Sequence, residues 1–180
     1  KTTSVTINQP SQISISASTT PVSCNGGIDG QIVLNASGGS GTYTYSFKNL
    51  NNFSSSNTFS GLTAGNYSFT VKDQNGCLAE VTVELNQPDA LSIGVANKQN
   101  VSCNGSANGS ISVTAAGGSG SYAYQINGAS AVSNGIFTGL AAGNYTIRVT
   151  DANGCYKELI ETITEPSSLS LSLTNQVNVK

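Results

Sequence analysis

The stretch FSGLTAGNYSFTVKDQNGC at 59–77 returns as FTGLAAGNYTIRVTDANGC at 137–155, with 12 of 19 positions identical. A copied passage of this length constrains the fold more than any single motif, because each copy must form the same local structure and bury the same residues. Fixed points give the period. Pro10, Pro88 and Pro166 follow one another at 78 residues, as do Cys77 and Cys155, while Cys24 and Cys103, like Tyr43 and Tyr122, are 79 apart. The one-residue slips fall between Pro88 and Cys103 and between Ile126 and Phe137, where the copies are least alike, so these stretches read as loops.

Similarity extends to the ends. Val5-Thr-Ile-Asn-Gln-Pro10 reads like Val83-Glu-Leu-Asn-Gln-Pro88 and like Ile163-Thr-Glu-Pro166, and Ser168-Leu-Ser-Leu-Ser-Leu173 reads like the stretch that follows Pro10. The expected organisation is therefore 1–10 as the last strand of a preceding repeat, 11–88 and 89–166 as two repeat domains, and 167–180 as the first strand of a following one. Units of this size bury only a modest core each, which fits two small domains better than one large one.

Charge excludes one class of partner. Charged residues make up 9% of the chain, the net charge is −2, and the seven basic residues are scattered singly. A nucleic-acid binder would carry a basic stripe. No apolar run approaches the roughly 18 residues of a membrane span, so no membrane insertion is expected, and Lys1-Thr-Thr-Ser is not a signal peptide, so any export signal is expected outside these residues. Histidine, methionine and tryptophan are absent. That removes the commonest general base and metal ligand, and the serines and cysteines have no partner with which to build a nucleophile or a zinc site. No enzyme and no cofactor are expected.

Segments 12–18, 31–36, 42–47, 66–72 and 79–85 are rich in β-branched and aromatic residues, alternate with polar ones and are separated by Gly, Asn, Asp and Pro. None carries a helical rhythm. Each unit reads as an antiparallel β-sandwich of about seven short strands, an all-β, immunoglobulin-like fold in an extended tandem array. Gly38-Gly-Ser-Gly41 and its copy Gly117-Gly-Ser-Gly120 lead into strands, so they read as turns; a phosphate loop would lead into a helix. Asn75-Gly76 after Asp73, and Asn153-Gly154 after Asp151, favour a tight hairpin with positive φ at both central residues. Tyr67 and Tyr145, each within Leu-x-Ala-Gly-Asn-Tyr, resemble the tyrosine corner that pins a sandwich crossover.

The order SCNG, GGSGxYxY, GLxAGNYxxxVxDxNGC, then a strand ending in QP or EP, resembles the SprB-type repeat over essentially both units. The resemblance implies modules of very large surface adhesins of gliding Bacteroidetes, exported through the type IX pathway. The aromatic usual after YxY is Trp; Phe47 and Ile126 stand there in this chain, a change that touches core filling.

An even cysteine count in an exported array suggests disulfides. The candidates are Cys24, Cys77, Cys103 and Cys155. Pairing within a unit, Cys24 with Cys77, is preferred and would contribute about 4 kcal/mol by loop closure. An odd strand count tends to place those two at opposite ends, however, and a Cys77–Cys103 bridge or four free thiols stay open. Asp73 with Glu80, and Asp151 with Glu158, are thin candidates for Ca²⁺, which wants six to eight oxygens; an Asp before a turn more often bonds its own backbone. Tyr43, Tyr45 and Phe47 share a strand face and read as core rather than as a sugar platform. A Lys–Asn crosslink finds no support, because Lys48 and Lys72 align with Asn127 and Thr150.

The functional expectation is a structural stalk or spacer in a long cell-surface or secreted adhesin, its partners being neighbouring repeats of the same chain. A surface-polysaccharide-binding module, with avidity supplied by repetition, is the alternative. It calls for exposed aromatics in the variable loops, such as Phe53.

Overall fold

The computed structural model describes residues 3–5, 9–47 and 52–174, and the chain divides into two compact units, Lys1–Asp89 and Ala90–Lys180. The first contains β1 (Ser14–Thr20), β2 (Gly30–Ser37), β3 (Thr44–Phe47), β4 (Thr58–Leu62), β5 (Gly65–Lys72) and β6 (Leu78–Leu85). They form two three-stranded sheets, ordered β1-β2-β4 and β3-β5-β6, antiparallel throughout. The second unit repeats the plan with β7 (Ser92–Gln99), β8 (Gly109–Ala116), β9 (Ala123–Ile126), β10 (Ile136–Leu140), β11 (Gly143–Thr150) and β12 (Tyr156–Ile163), in sheets β7-β8-β10 and β9-β11-β12. First, second and fourth strands facing third, fifth and sixth is the pairing of an immunoglobulin-like sandwich, with no outer strand of the first sheet assigned among the described residues.

Six strands are thus assigned per unit among the described residues, against about seven read from the sequence. In the described part of the segment between β3 and β4 the backbone makes an isolated bridge, Tyr45 to Ser54, matched by Tyr124 to Val132 in the second unit. Ser and Asn dominate there and offer no apolar face to bury.

Alternation places the core. Successive strand side chains point to opposite faces, so Ile32 and Leu34 of β2 meet Phe69 and Val71 of β5, all four fully buried. Ile111 and Val113 of β8 and Ile147 and Val149 of β11 do the same in the second unit. Tyr45 is buried, and Tyr43 and Phe47 pack against the same core. Phe47, Phe59 and Phe69 form a ring cluster, with centroids 5.5 Å apart for Phe47–Phe69 and 4.6 Å for Phe59–Phe69. Those rings fill the sandwich and are not an outward platform.

Glycine is required where the sheets pinch together. A Cβ on Gly109 would lie 2.9 Å from both Ile163 Cγ2 and the Leu140 carbonyl, and one on Gly30 would lie 2.5 Å from Leu85 Cδ2. Gly109→Ala is expected to cost about 1–3 kcal/mol by overpacking, read as a lower midpoint for the second unit in thermal denaturation; an unchanged midpoint would contradict this packing.

Of the flanking segments expected as strands of neighbouring repeats, residues 1, 2, 6–8 and 175–180 lie outside the described residues, as does Lys48. The described parts carry no strand. A ladder needs a neighbour to pair with, and Leu169, Leu171 and Leu173 stand 101, 99 and 82% exposed.

Candidate functional site

Each unit is finished at its two poles by loops that the sequence repeats, and all four cysteines lie in them. At the leading pole of the first unit, β5 and β6 are joined by Asp73–Cys77. Asp73 N–H donates to the Cys77 carbonyl at 3.0 Å and Gly76 N–H to the Asp73 carbonyl at 3.0 Å. Gly76 is at φ 86°, and Asn75 is not among the residues of positive φ; nor is Asn153, beside Gly154 at φ 83°. The tight turn with both central residues left-handed is therefore corrected to a three-residue loop with one left-handed glycine. The reason is the aspartate. Asp73, 4% exposed, accepts the Cys77 N–H on Oδ1 at 2.8 Å, and Asp151 accepts Asn153 and Cys155 N–H at 3.0 and 2.9 Å, which holds the asparagine in the ordinary hand.

The other carboxylate oxygen reaches the glycine-rich loop. Ser40 N–H donates to Asp73 Oδ2 at 3.0 Å and Ser119 N–H to Asp151 Oδ2 at 2.8 Å. Gly39 and Gly118 allow this approach, since a Cβ there would lie 2.8 and 2.5 Å from that oxygen. Tyr43 donates its hydroxyl to the Gly38 carbonyl, and Tyr122 to that of Gly117 at 2.7 Å. Burial pushes the Asp73 carboxyl up, but the N–H groups of Cys77, Ser40 and Asn75 outweigh it, and the pKa lies below the ordinary value of 3.8. The GGSG loop and the DxNGC hairpin are thus one device, which sequence reasoning missed. Their joint recurrence in both copies was the available signal.

At the trailing pole, the SCNG loop grips the end of the last strand. Val22 N–H donates to the Asn86 carbonyl at 3.0 Å, Asn25 Nδ2 to the Pro88 carbonyl at 3.0 Å, and Gly26 N–H to Gln87 Oε1 at 2.7 Å. In the second unit Asn104 donates to the Pro166 carbonyl at 3.1 Å and Gly105 N–H to Glu165 Oε2 at 2.7 Å. Asp29 caps this loop, accepting from the Ser23 hydroxyl and N–H; these two bonds hold its pKa below the ordinary value of 3.8. Asn108 does the same for Ser102 N–H at 3.1 Å. The exchange of Asp for Asn between the copies preserves that acceptor.

Tyr67 Oη donates to the Thr63 carbonyl at 2.8 Å and Tyr145 Oη to that of Ala141 at 3.0 Å, each pinning the crossover into β5 or β11. The calcium candidates are not assembled. The Asp73 and Asp151 oxygens face N–H donors, which repel a cation; Glu80 is exposed on β6, and Glu158 pairs with Arg148 at 2.7 Å. No group of three potential metal-ligating side chains occurs among the described residues. Phe53 is half-buried, with the Lys72 ammonium 4.1 Å from its ring centre.

The cysteines require a correction. Cys77 and Cys103 carry free, exposed thiols, whereas Cys24 and Cys155 are disulfide-bonded. Neither the preferred bridge Cys24–Cys77 nor the rival Cys77–Cys103 is formed. Within the first unit, Cys24 adjoins Asn25 and Gly26 at the trailing pole, and Cys77 closes the hairpin at the leading one, so the sandwich separates the pair.

The family model of the SprB repeat matches residues 16–52 and 95–131. Two segments of the chain thus match the SprB repeat, one in each unit. Each match starts within the first strand of a unit and extends beyond its third. Among curated proteins none matches the chain. Among solved structures, the three N-terminal domains of the highly immunogenic outer capsid protein (Hoc) of bacteriophage RB49 align with 85% of this chain and 58% of their own, at 15% identity and a TM-score of 0.50. The chain thus spans somewhat over half of that structure, and the likeness concerns the fold alone. A C-terminal fragment of intimin, solved with the intimin-binding domain of its translocated receptor, aligns over 88% of this chain and 64% of its own, at 19% identity and a TM-score of 0.43. Fibronectin(III)-like modules of Clostridium thermocellum CbhA align over 92% of this chain and all of their own, at 16% identity and a TM-score of 0.36. No helix among the described residues is long and apolar enough to cross a membrane.

Proposed function

We propose that these SprB repeats are stalk modules of a cell-surface adhesin, non-enzymatic, extracellular, and serving to set distance and carry tension, with gliding motility as the setting. The observation that carries this reading is the treatment of the connecting segment. Gln87 and Pro88 are hydrogen-bonded into the first unit, and Leu91 packs against the core of the second. Only Asp89 and Ala90 lie between these anchors, far fewer residues than a flexible tether uses. Pull applied to the chain is then received by folded sandwiches rather than by slack. Disulfide-bonded cysteines suit an oxidising, extracellular setting, and few charges with a polar Ser, Thr and Asn surface suit an exposed filament.

The polysaccharide-binding alternative gains no specific observation. Its loop aromatic, Phe53, is partly covered by Lys72 and has no aromatic counterpart in the second copy. Binding of the folded chain to a broad glycan array, with and without Ca²⁺, tests the choice. The stalk reading expects no saturable signal; saturable binding to one sugar class would overturn it.

A further inference from the structure

Asn-Gly occurs seven times in this chain, four of them in the pole loops at Asn25, Asn75, Asn104 and Asn153. The pair is reactive in an unrestrained chain, because glycine has no side chain to keep its nitrogen away from the asparagine side-chain carbonyl. The deprotonated glycine nitrogen attacks Cγ, the new N–C bond closes a succinimide ring, and the side-chain nitrogen leaves as ammonia. Water then opens the ring to aspartate or isoaspartate. The reaction needs a glycine N–H free to lose its proton and an asparagine side chain free to turn.

The pole loops deny these conditions. Gly26 N–H is given to Gln87 Oε1 at 2.7 Å while Asn25 Nδ2 is given to the Pro88 carbonyl at 3.0 Å, and Gly105 and Asn104 are tied to Glu165 and Pro166 at 2.7 and 3.1 Å. In the hairpins, Gly76 and Gly154 N–H donate to the Asp73 and Asp151 carbonyls at 3.0 and 3.1 Å. Asn108 is held by Ser102 through both ends of its amide, at 3.1 and 2.6 Å. The remaining two pairs lie in the 127–135 loop of the second unit, where every residue except Gly135 is exposed. Neither Gly128 nor Gly135 gives its N–H to a partner among the described residues. Asn127 is held through Oδ1 alone, by Thr146 N–H at 2.9 Å, and a donor there also favours the negative charge that develops on this oxygen during attack. Asn134 Oδ1 has only the longer contact with Ile136 N–H, at 3.3 Å.

We propose that the 127–135 loop is the deamidation site of this chain, taking up water and releasing ammonia at Asn127 and Asn134, while the pole hydrogen bonds shield the Asn-Gly pairs that hold each sandwich closed. An aspartate at Asn25 or Asn104 would lose the donor that the proline carbonyl accepts, whereas the loop lies where the two copies are least alike. Each event there adds one negative charge to a chain of net charge −2. The inference is independent of the stalk reading.

The test incubates the folded chain beside the chain unfolded in guanidinium chloride, at mildly alkaline pH, and locates the mass gain at each asparagine by tandem mass spectrometry. Unfolded, the Asn-Gly pairs should react at similar rates. Folded, Asn127 and Asn134 together should outrun each pole asparagine at least about fivefold, the factor that goes with one further hydrogen bond to be broken. Glu165→Ala should speed the reaction at Asn104 and leave Asn25 unchanged, and Gln87→Ala should do the reverse, with circular dichroism showing that each variant is folded. Equal pole and loop rates in the folded chain, a loop that stays intact while the unfolded chain reacts, or no response of Asn104 and Asn25 to these variants would each overturn the proposal.

Discussion

Phe69→Ala is expected to unfold the first unit at temperatures where the second remains folded. The Phe69 ring is fully buried, lies 4.6 Å from the Phe59 ring and 5.5 Å from that of Phe47, and belongs to the cluster that joins both sheets of its unit. Removing such a ring costs about 3–5 kcal/mol, transfer and cavity together. A domain of this size has a total stability of roughly 4–12 kcal/mol, so most of it can be lost. At about 4–8 °C per kcal/mol for domains of this size, the midpoint of the first unit should fall by at least about 12 °C in calorimetry. The second unit has its own core and should keep its midpoint. Ile147→Ala is the mirror experiment, expected to cost about 2–5 kcal/mol in the second unit only. Equal shifts in both transitions would show that the cores are not separate.

The second large effect is expected at the leading pole. Asp151 is buried and accepts the N–H groups of Ser119, Asn153 and Cys155. Asp151→Ala leaves these donors without that acceptor, and water reaching the pole replaces only part of what is lost, so a cost of about 2–4 kcal/mol follows. The GGSG loop and the hairpin should loosen together, seen as a joint loss of amide-exchange protection at Ser119 and Cys155. Loss at Cys155 alone would break the link between the two loops. For Asp73 the same geometry sets a pH dependence. Its pKa in the folded state lies below the ordinary 3.8, so its contribution is present above the unfolded value and is lost as pH falls through the folded one. Melting the protein from about pH 6 down to about pH 2 should therefore lower the first unit's midpoint on the acid side. Asp73→Asn should flatten that limb, though not abolish it, because Asp29 shares the lowered pKa.

Five strands of the first unit were legible in the sequence, β1, β2, β3, β5 and β6, because apolar and polar residues alternate in them, as with Ile32 and Leu34 in β2 and Phe69 and Val71 in β5. Apolar residues at every second position on the face turned to the core leave that trace. β4, Thr58–Leu62, was not marked as a strand, since its Ser and Gly residues carry little apolar signal and its pairing with β2 includes a register shift at Gly30 and Gln31. The turn at Asn75-Gly76 was placed correctly but given the wrong hand. Dipeptide preference weighs the two central residues and cannot include a carboxylate that also bonds to Ser40, far away in sequence.

What the sequence determined by itself was therefore local and periodic: two copies of one sandwich, their alternating cores, and the absence of histidine that leaves the commonest general base out of reach. Only the tertiary structure decided how the loops are shared out between the poles. The GGSG loop closes on Asp73, the SCNG loop closes on Gln87 and Pro88, and Cys24 and Cys77 are thereby set apart. The physical reason is that a hydrogen bond or a disulfide depends on which chain ends the sheets carry to the same place. That distance follows from strand pairing and is not a function of separation along the chain.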